Sequence, residues 1–292
     1  MSLATWFNDF SSNLKITDDG TISKRYKNIT KRLNTDFWTT NSDTSHSLYV
    51  GSYGRNTAIT GFSDLDMVFR LPYATYLQYS SYTGNGQSAL LQAVKKSIEK
   101  TYSTTSIKGD GQIIAVPFSD GIEFEVVPAF ENKNDSFTFA NANLGGSWKT
   151  TNPKPEMQAI KLRNTLCNGN LIALCRMMRA WKRKWIVPIG GLLIDTLAYQ
   201  FIEKYEHRDK SYLYYDLMSR DFFKWVSEQS KEQIYWKAPG SGQSVFGGNF
   251  QYKALRCYNL SIEAIAYESA IPKKEWAAKQ TWRDIYGTKF PS

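Results

Sequence analysis

The chain has little of what several classes of protein require. Only three of its 292 residues are cysteine (Cys167, Cys175, Cys257), too few and too scattered for a disulfide framework. A reducing compartment, and so a cytoplasmic protein, is the expectation. Two histidines, His46 and His207, exclude a His-rich metal site, and nothing beside either suggests a serine–histidine nucleophile. No apolar run is long enough to span a bilayer and no signal peptide starts at Met1, so no membrane partner is expected. Internal repeats and low-complexity tracts are also missing. What remains is a hydrophobic content of 42%, enough for a sizeable core, and a net charge of +9, which favours anionic partners. The length suits two modest domains or one large one.

The informative stretch runs from Gly51-Ser52-Tyr53-Gly54-Arg55 to Ser63-Asp64-Leu65-Asp66-Met67-Val68-Phe69. Leu65, Met67 and Phe69 alternate with Asp64, Asp66 and Val68, the period of a half-buried strand. Residues i and i+2 of a strand share a face, so Asp64 and Asp66 stand side by side. Paired carboxylates repel and one pKa rises unless a cation sits between them. Mg²⁺ is such a cation, taking one or two carboxylates together with substrate phosphates. Gly51-Ser52 follows the apolar run Leu48-Tyr49-Val50 and predicts a tight turn in which backbone N–H groups and a hydroxyl can approach phosphate oxygens. A phosphate-gripping turn followed by paired metal-binding carboxylates is what nucleotidyl transfer from a triphosphate needs. A solvated Asp-x-Asp on an edge strand is the plainer alternative.

This stretch resembles the nucleotidyltransferase signature of the DNA polymerase beta superfamily. The fuller phrase, Gly51 to Ile59 with Ser63-Asp64-Leu65-Asp66, is similar to the bacterial cGAS/DncV-like nucleotidyltransferases. The resemblance implies an α+β fold: a polymerase beta-like core of mixed sheet and helices, and a C-terminal helical domain, two lobes around a cleft. The expected division is 1–150 for the core with its N-terminal brace helix and 151–292 for the helical domain.

Along the chain, Ile22, Tyr26, Ile29, Leu33 and Phe37 predict a helix of about five turns, which the resemblance implies is the N-terminal brace. Residues 73–86, rich in Tyr, Ser and Gly, read as a loop. Ser88 is a candidate cap for a helix with Leu91, Val94, Ile98 and Tyr102 inward. Strands are expected over 112–118 and 122–127, joined by the Asp120-Gly121 turn. The second strand offers a third acid. Glu125, before Val126-Val127-Pro128-Ala129, sits where the resembled family carries its third acidic residue, often Asp; Glu123 on the same face is the rival. The Gly/Pro-rich stretch 144–155 reads as the domain boundary.

Between Lys154 and Ile186 eight basic residues face one acid, Glu156. Arg176, Arg179 and Arg183 form a helical stripe that could bind a triphosphate through bidentate guanidinium contacts. The family places a basic residue in the phrase matching Met178-Arg179-Ala180-Trp181, which assigns phosphate contact to Arg179, with Lys182 and Arg183 in reserve; a solubilising helix face is the alternative. Relatives carry Ser-Tyr or Ser-Phe where this chain has Gly191-Leu192, so base stacking passes to another ring, Tyr53 or Tyr82. Residues 236–250 read as a flexible loop, a connection rather than a lid. Residues 260–269 and 274–286 read as helices, and the final phrase, Trp282 to Pro291, again resembles the family.

The implied function is a Mg²⁺-dependent synthase, with Mn²⁺ as a substitute, that makes a cyclic di- or trinucleotide second messenger from ATP, GTP, UTP or CTP in anti-phage (CBASS-type) defence. Asp64, Asp66 and Glu125 would be catalytic and metal-binding; Gly51, Ser52, Arg179, Lys182 and Arg183 would bind nucleotide. A downstream effector sensing the product is the implied partner, with no obligatory nucleic acid. The alternatives are linear nucleotidyl transfer to RNA or a small molecule, and a non-enzymatic nucleic-acid binder.

Overall fold

A computed structural model describes every residue except Met1, Ser2, Asp18, Phe62 and Ser63, and leaves the side chains of Ala4 and Asp19 undescribed. The chain begins with helices α1 (Leu3–Leu14) and α2 (Asp19–Leu33), the latter continued by a π-helical turn, Asn34–Trp38. Strand β1 (Ser47–Tyr49), the single turn α3 (Gly51–Gly54) and strand β2 (Leu65–Arg70) follow. Helices α4 (Tyr73–Ser80) and α5 (Gly86–Glu99) precede strands β3 (Lys108–Asp110), β4 (Ile113–Pro117), β5 (Glu123–Glu131), β6 (Phe137–Asn141) and β7 (Ser147–Thr151). Helices α6 (Pro153–Leu166), α7 (Asn170–Trp185), α8 (Gly191–Lys204) and α9 (Tyr215–Ser227) come next. The hairpin β8 (Tyr235–Lys237) and β9 (Ser244–Phe246), then α10 (Gln251–Ser269) and α11 (Glu275–Tyr286), complete the chain.

These elements form two compact units. One comprises Ile16–Gly54 and Gly61–Lys154; the other comprises Met1–Lys15, Arg55–Thr60 and Pro155–Ser292. The first 15 residues and the short segment 55–60 therefore group with the C-terminal helices, where the sequence reading kept all of 1–150 together.

The first unit is built on a mixed sheet of order β1-β2-β5-β4-β3, with β6 and β7 continuing from β5. β2 and β5 run parallel; the other pairs are antiparallel. Alternation sorts the side chains. Leu65, Met67 and Phe69 of β2 and Phe124 and Val126 of β5 are buried on one face against Ile22, Ile29 and Leu33 of α2 and Leu91, Val94 and Ile98 of α5. Each such side chain contributes about 1.5–3 kcal/mol. The opposite face carries Asp66, Val68 and Arg70 beside Glu125, Val127 and Ala129, and has a smaller apolar cluster of its own (Val50, Val68, Ala129, Phe137).

The second unit is mainly helical. Leu3, Phe7, Phe10 and Leu14 bring one stripe of α1 against its core. Phe7 meets Trp282 edge-on at 4.8 Å between ring centres, and Tyr286 and Phe290 extend this aromatic cluster.

Several expectations need correction. Residues 73–80 are the helix α4, entered from Pro72, whose fixed φ suits a helix start. Asn85, not Ser88, caps α5: its side chain accepts from the Ser88 N–H. The stretch 144–155 does contain the Lys154/Pro155 border between the units but also carries strand β7, and the β8–β9 hairpin spans 235–246 where 236–250 reads as a loop. The brace helix stops at Leu33 as an α-helix and ends in π geometry.

Candidate active site

The Gly-Ser step forms a helical turn rather than a bare bend. The Val50 N–H donates to the Asp66 carbonyl at 2.9 Å, tying the turn to β2. Gly51 has φ +57°, and a Cβ built on it would lie 1.8 Å from Asp66 Oδ2. Both facts demand glycine, and together they put the backbone of the turn directly against a carboxylate. Ser52, half-buried, is the next residue of this turn.

Asp66 and Glu125 are register partners on the parallel strands β2 and β5. Neighbouring strands lie about 4.8 Å apart, so carboxylates on the same face meet. They share a hydrogen bond. Partial burial first, then the charges of Asp66 and Asp64, push the Glu125 carboxyl up to about 7. Glu123 opens β5, opposite Pro117 of β4, and adds the smallest of these contributions. Asp64 is exposed, immediately before β2. The two sequence-distant acids, 66 and 125, are thus brought together, with the charge of Asp64 within reach.

Among the described residues no three Asp, Glu, His or Cys side chains are drawn together tightly enough to enclose a metal ion. The donor chemistry nonetheless suits a hard divalent cation. Asp66 and Glu125 set like charges side by side, and a cation on oxygen ligands between them would relieve that repulsion.

The basic residues fare differently. Arg179 is buried on α7, and its guanidinium donates to Asp195 of α8 at 2.5 and 3.0 Å and to the Gly191 carbonyl at 3.2 Å. Arg55 Nε and Thr57 Oγ1 reach the same carboxylate at 2.8 and 2.9 Å. Glu156 lies 3.6 Å from Arg55 and accepts from Ser241 Oγ at 2.8 Å. Burial alone would raise the Asp195 carboxyl; the two guanidiniums overcome it and hold the group down at about 2. Lys182 is half-buried and Arg183 exposed further along α7. Of the ring candidates, Tyr53 packs on Tyr49 at 4.5 Å and Tyr82 on Tyr79 at 5.2 Å. Gly191 is the first residue of α8, with Gly190 at its cap.

Sequence reasoning missed Asp195. The available signal was a carboxylate inside the apolar stripe of Leu193, Ile194, Leu197 and Phe201, a position that requires a partner. Arg55 was visible as part of the motif, but its partner was not.

The fold matches that of solved bacterial nucleotidyltransferase structures. The apo structure of Vibrio cholerae DncV superposes with a TM-score of 0.74 at 13% identity, covering 100% of this chain and 96% of that one. Escherichia coli CdnC with ATP gives 0.66 at 15% identity, over 99% and 98% of the two chains. A Bacillus cereus protein named "Probable cyclic nucleotide synthase" is 23% identical over 279 residues, 83% of this chain and 81% of that one. The profile of the SMODS family, the Second Messenger Oligonucleotide or Dinucleotide Synthetase domain, matches residues 1–164. The chain belongs to this family, the bacterial cGAS/DncV-like nucleotidyltransferases that synthesise cyclic oligonucleotides.

Proposed function

We propose that the chain closes a cyclic di- or trinucleotide from nucleoside triphosphates, with Asp64, Asp66 and Glu125 as the metal-binding and catalytic acids, and that the product serves as a second messenger in anti-phage defence. The observation that carries this reading is the side-by-side placement of Asp66 and Glu125 with the Gly51 backbone pressed against Asp66. Asp64, Asp66 and Glu125 would hold Mg²⁺, or Mn²⁺ in its place. A bound divalent ion supplies Lewis-acid polarisation of the α-phosphoryl oxygens and lowers the pKa of the attacking hydroxyl.

The chain's own groups do the rest. The Gly51–Gly54 turn presents backbone N–H groups and the Ser52 hydroxyl to the β- and γ-phosphates. Glu125, beside Asp66, helps to activate the attacking ribose hydroxyl by accepting its proton. The hydroxyl oxygen bonds to the α-phosphorus, the bridging P–O bond to the β-phosphate breaks, and pyrophosphate leaves with that electron pair. Arg179, which also holds Asp195, and Lys182 and Arg183 further along α7 would contact the phosphates. The CdnC structure with ATP supports ATP as a substrate. An effector that senses the product is the expected partner. No described helix is long and apolar enough to cross a membrane.

Purified protein incubated with each labelled triphosphate and Mg²⁺ should yield a phosphatase-resistant product on chromatography. A phosphatase-sensitive product would instead support linear transfer. Salt-sensitive binding of RNA or DNA without turnover would support the binder.

A further inference from the structure

The helical unit contains a cavity of about 310 Å³ that the proposed chemistry does not use. It lies where the end of α1, the start of α7 and the turn before α9 come together, all within that unit. Lys15, Arg176, Ser11, Asn168, Asn170 and Tyr212 supply its polar lining, and no carboxylate of the described residues is among the lining groups. Two of these polar groups are orphaned. Ser11 Oγ and Arg176 Nε are shielded from solvent and find no hydrogen-bond partner among the described residues. Lys15 pairs with no carboxylate among them.

A buried donor left unmade costs about 1–3 kcal/mol. The Ser11 hydroxyl and the Arg176 Nε–H, with the Lys15 ammonium as a second cation beside the guanidinium, describe a site for an oxyanion. We propose that this cavity binds a phosphate-bearing small molecule, no larger than a mononucleotide, through Lys15, Arg176 and Ser11. Arg176 is the link to the rest of the unit. Its Nη2 donates to the carbonyl and side-chain oxygens of Asn56 at 3.0 and 2.8 Å, so the ligand would hold the residue that fixes the segment just after the Gly51–Gly54 turn. The shared chemistry is the phosphoryl group; a nucleotide and free pyrophosphate both present it.

The test is calorimetric titration of the full chain with pyrophosphate and, separately, with ATP, in EDTA. The chelator removes the cation from the carboxylate site, and Lys15 and Asn168 lie in the cavity and not among the carboxylate-site residues, so a loss of binding on their substitution is independent of the proposed reaction. Saturable binding that Lys15→Glu and Asn168→Asp each weaken by about tenfold or more, the worth of one charge-assisted contact, is expected. Binding of pyrophosphate alone would identify a site for the leaving group; binding of ATP with equal or greater affinity would identify a nucleotide site. Lys15 and Asn168 are exposed, and an unchanged melting temperature verifies folding. Absence of saturable heat for both probes, or binding unaffected by either substitution in folded protein, would overturn the proposal.

Discussion

Two acidic clusters, one in each unit, solve the same electrostatic problem in opposite ways. Asp195 is completely buried, yet its carboxyl is held down at about 2, because Arg55 and Arg179 repay the cost of desolvation. Glu125 is only half-buried, yet its carboxyl is driven up to about 7, because burial comes first and the charges of Asp66 and Asp64 add to it instead of opposing it. Burial acts upward on both; the sign of the neighbouring charge decides the outcome. A finished ion cluster stabilises a fold. An acidic cluster that gathers like charges is suited to receive a cation and a substrate.

The largest effect expected from breaking this contrast is on stability. Asp195→Ala strands the Arg179 guanidinium in the core and leaves Arg55 with Glu156 alone, and chemical denaturation should show a loss of about 3–5 kcal/mol. Next comes Gly51→Ala, whose Cβ would collide with the Asp66 carboxylate. A misplacement on that scale should lower turnover by about 100-fold while the melting temperature falls little.

Acid separates the two clusters further. The Asp195 carboxyl is depressed in the folded state, so its stabilisation is complete above the ordinary carboxylate range and is lost as pH falls from about 4 toward 2. Denaturant titrations should steepen in that window for the wild type. Glu125 runs the other way: raised from 4.5 to about 7, its stabilisation in EDTA is full below 4.5 and drains away as pH rises through 7. The smallest effect follows. Glu125→Gln, which cannot ionise, should flatten this decline and raise the melting temperature in EDTA at pH 8 by about 2 °C, discounted for partial exposure. For the wild type, Mg²⁺ should raise the melting temperature more at pH 8 than at pH 6, since binding displaces the Glu125 proton.

Much of the carboxylate site was legible because it rests on short-range rules. Alternation placed Leu65, Met67 and Phe69 inward, and the Asp120-Gly121 turn made 122–127 a returning strand, which the fold extends to Glu131. That Glu125 rather than Glu123 meets Asp66 depends on the β2–β5 register, which is tertiary information. The helix α1 could have been read: Leu3, Phe7, Phe10 and Leu14 recur at spacings of four, three and four. α4 gave no comparable stripe; it packs Tyr76 between Phe130 and Trp148, contacts formed only in the fold. The Asp195 cluster was hidden for a similar reason. Its members come from 55–57, 156, 179 and 195, and only the folded chain shows which cation each acid meets.

Pyrophosphate release from nucleoside triphosphates with Mg²⁺ tests the central claim most directly. The wild-type chain should release it steadily, and a chain carrying Asp64→Asn with Asp66→Asn, folded to the same melting temperature, should release none above background. Undiminished release from the double variant would contradict the assignment of these carboxylates to the chemistry.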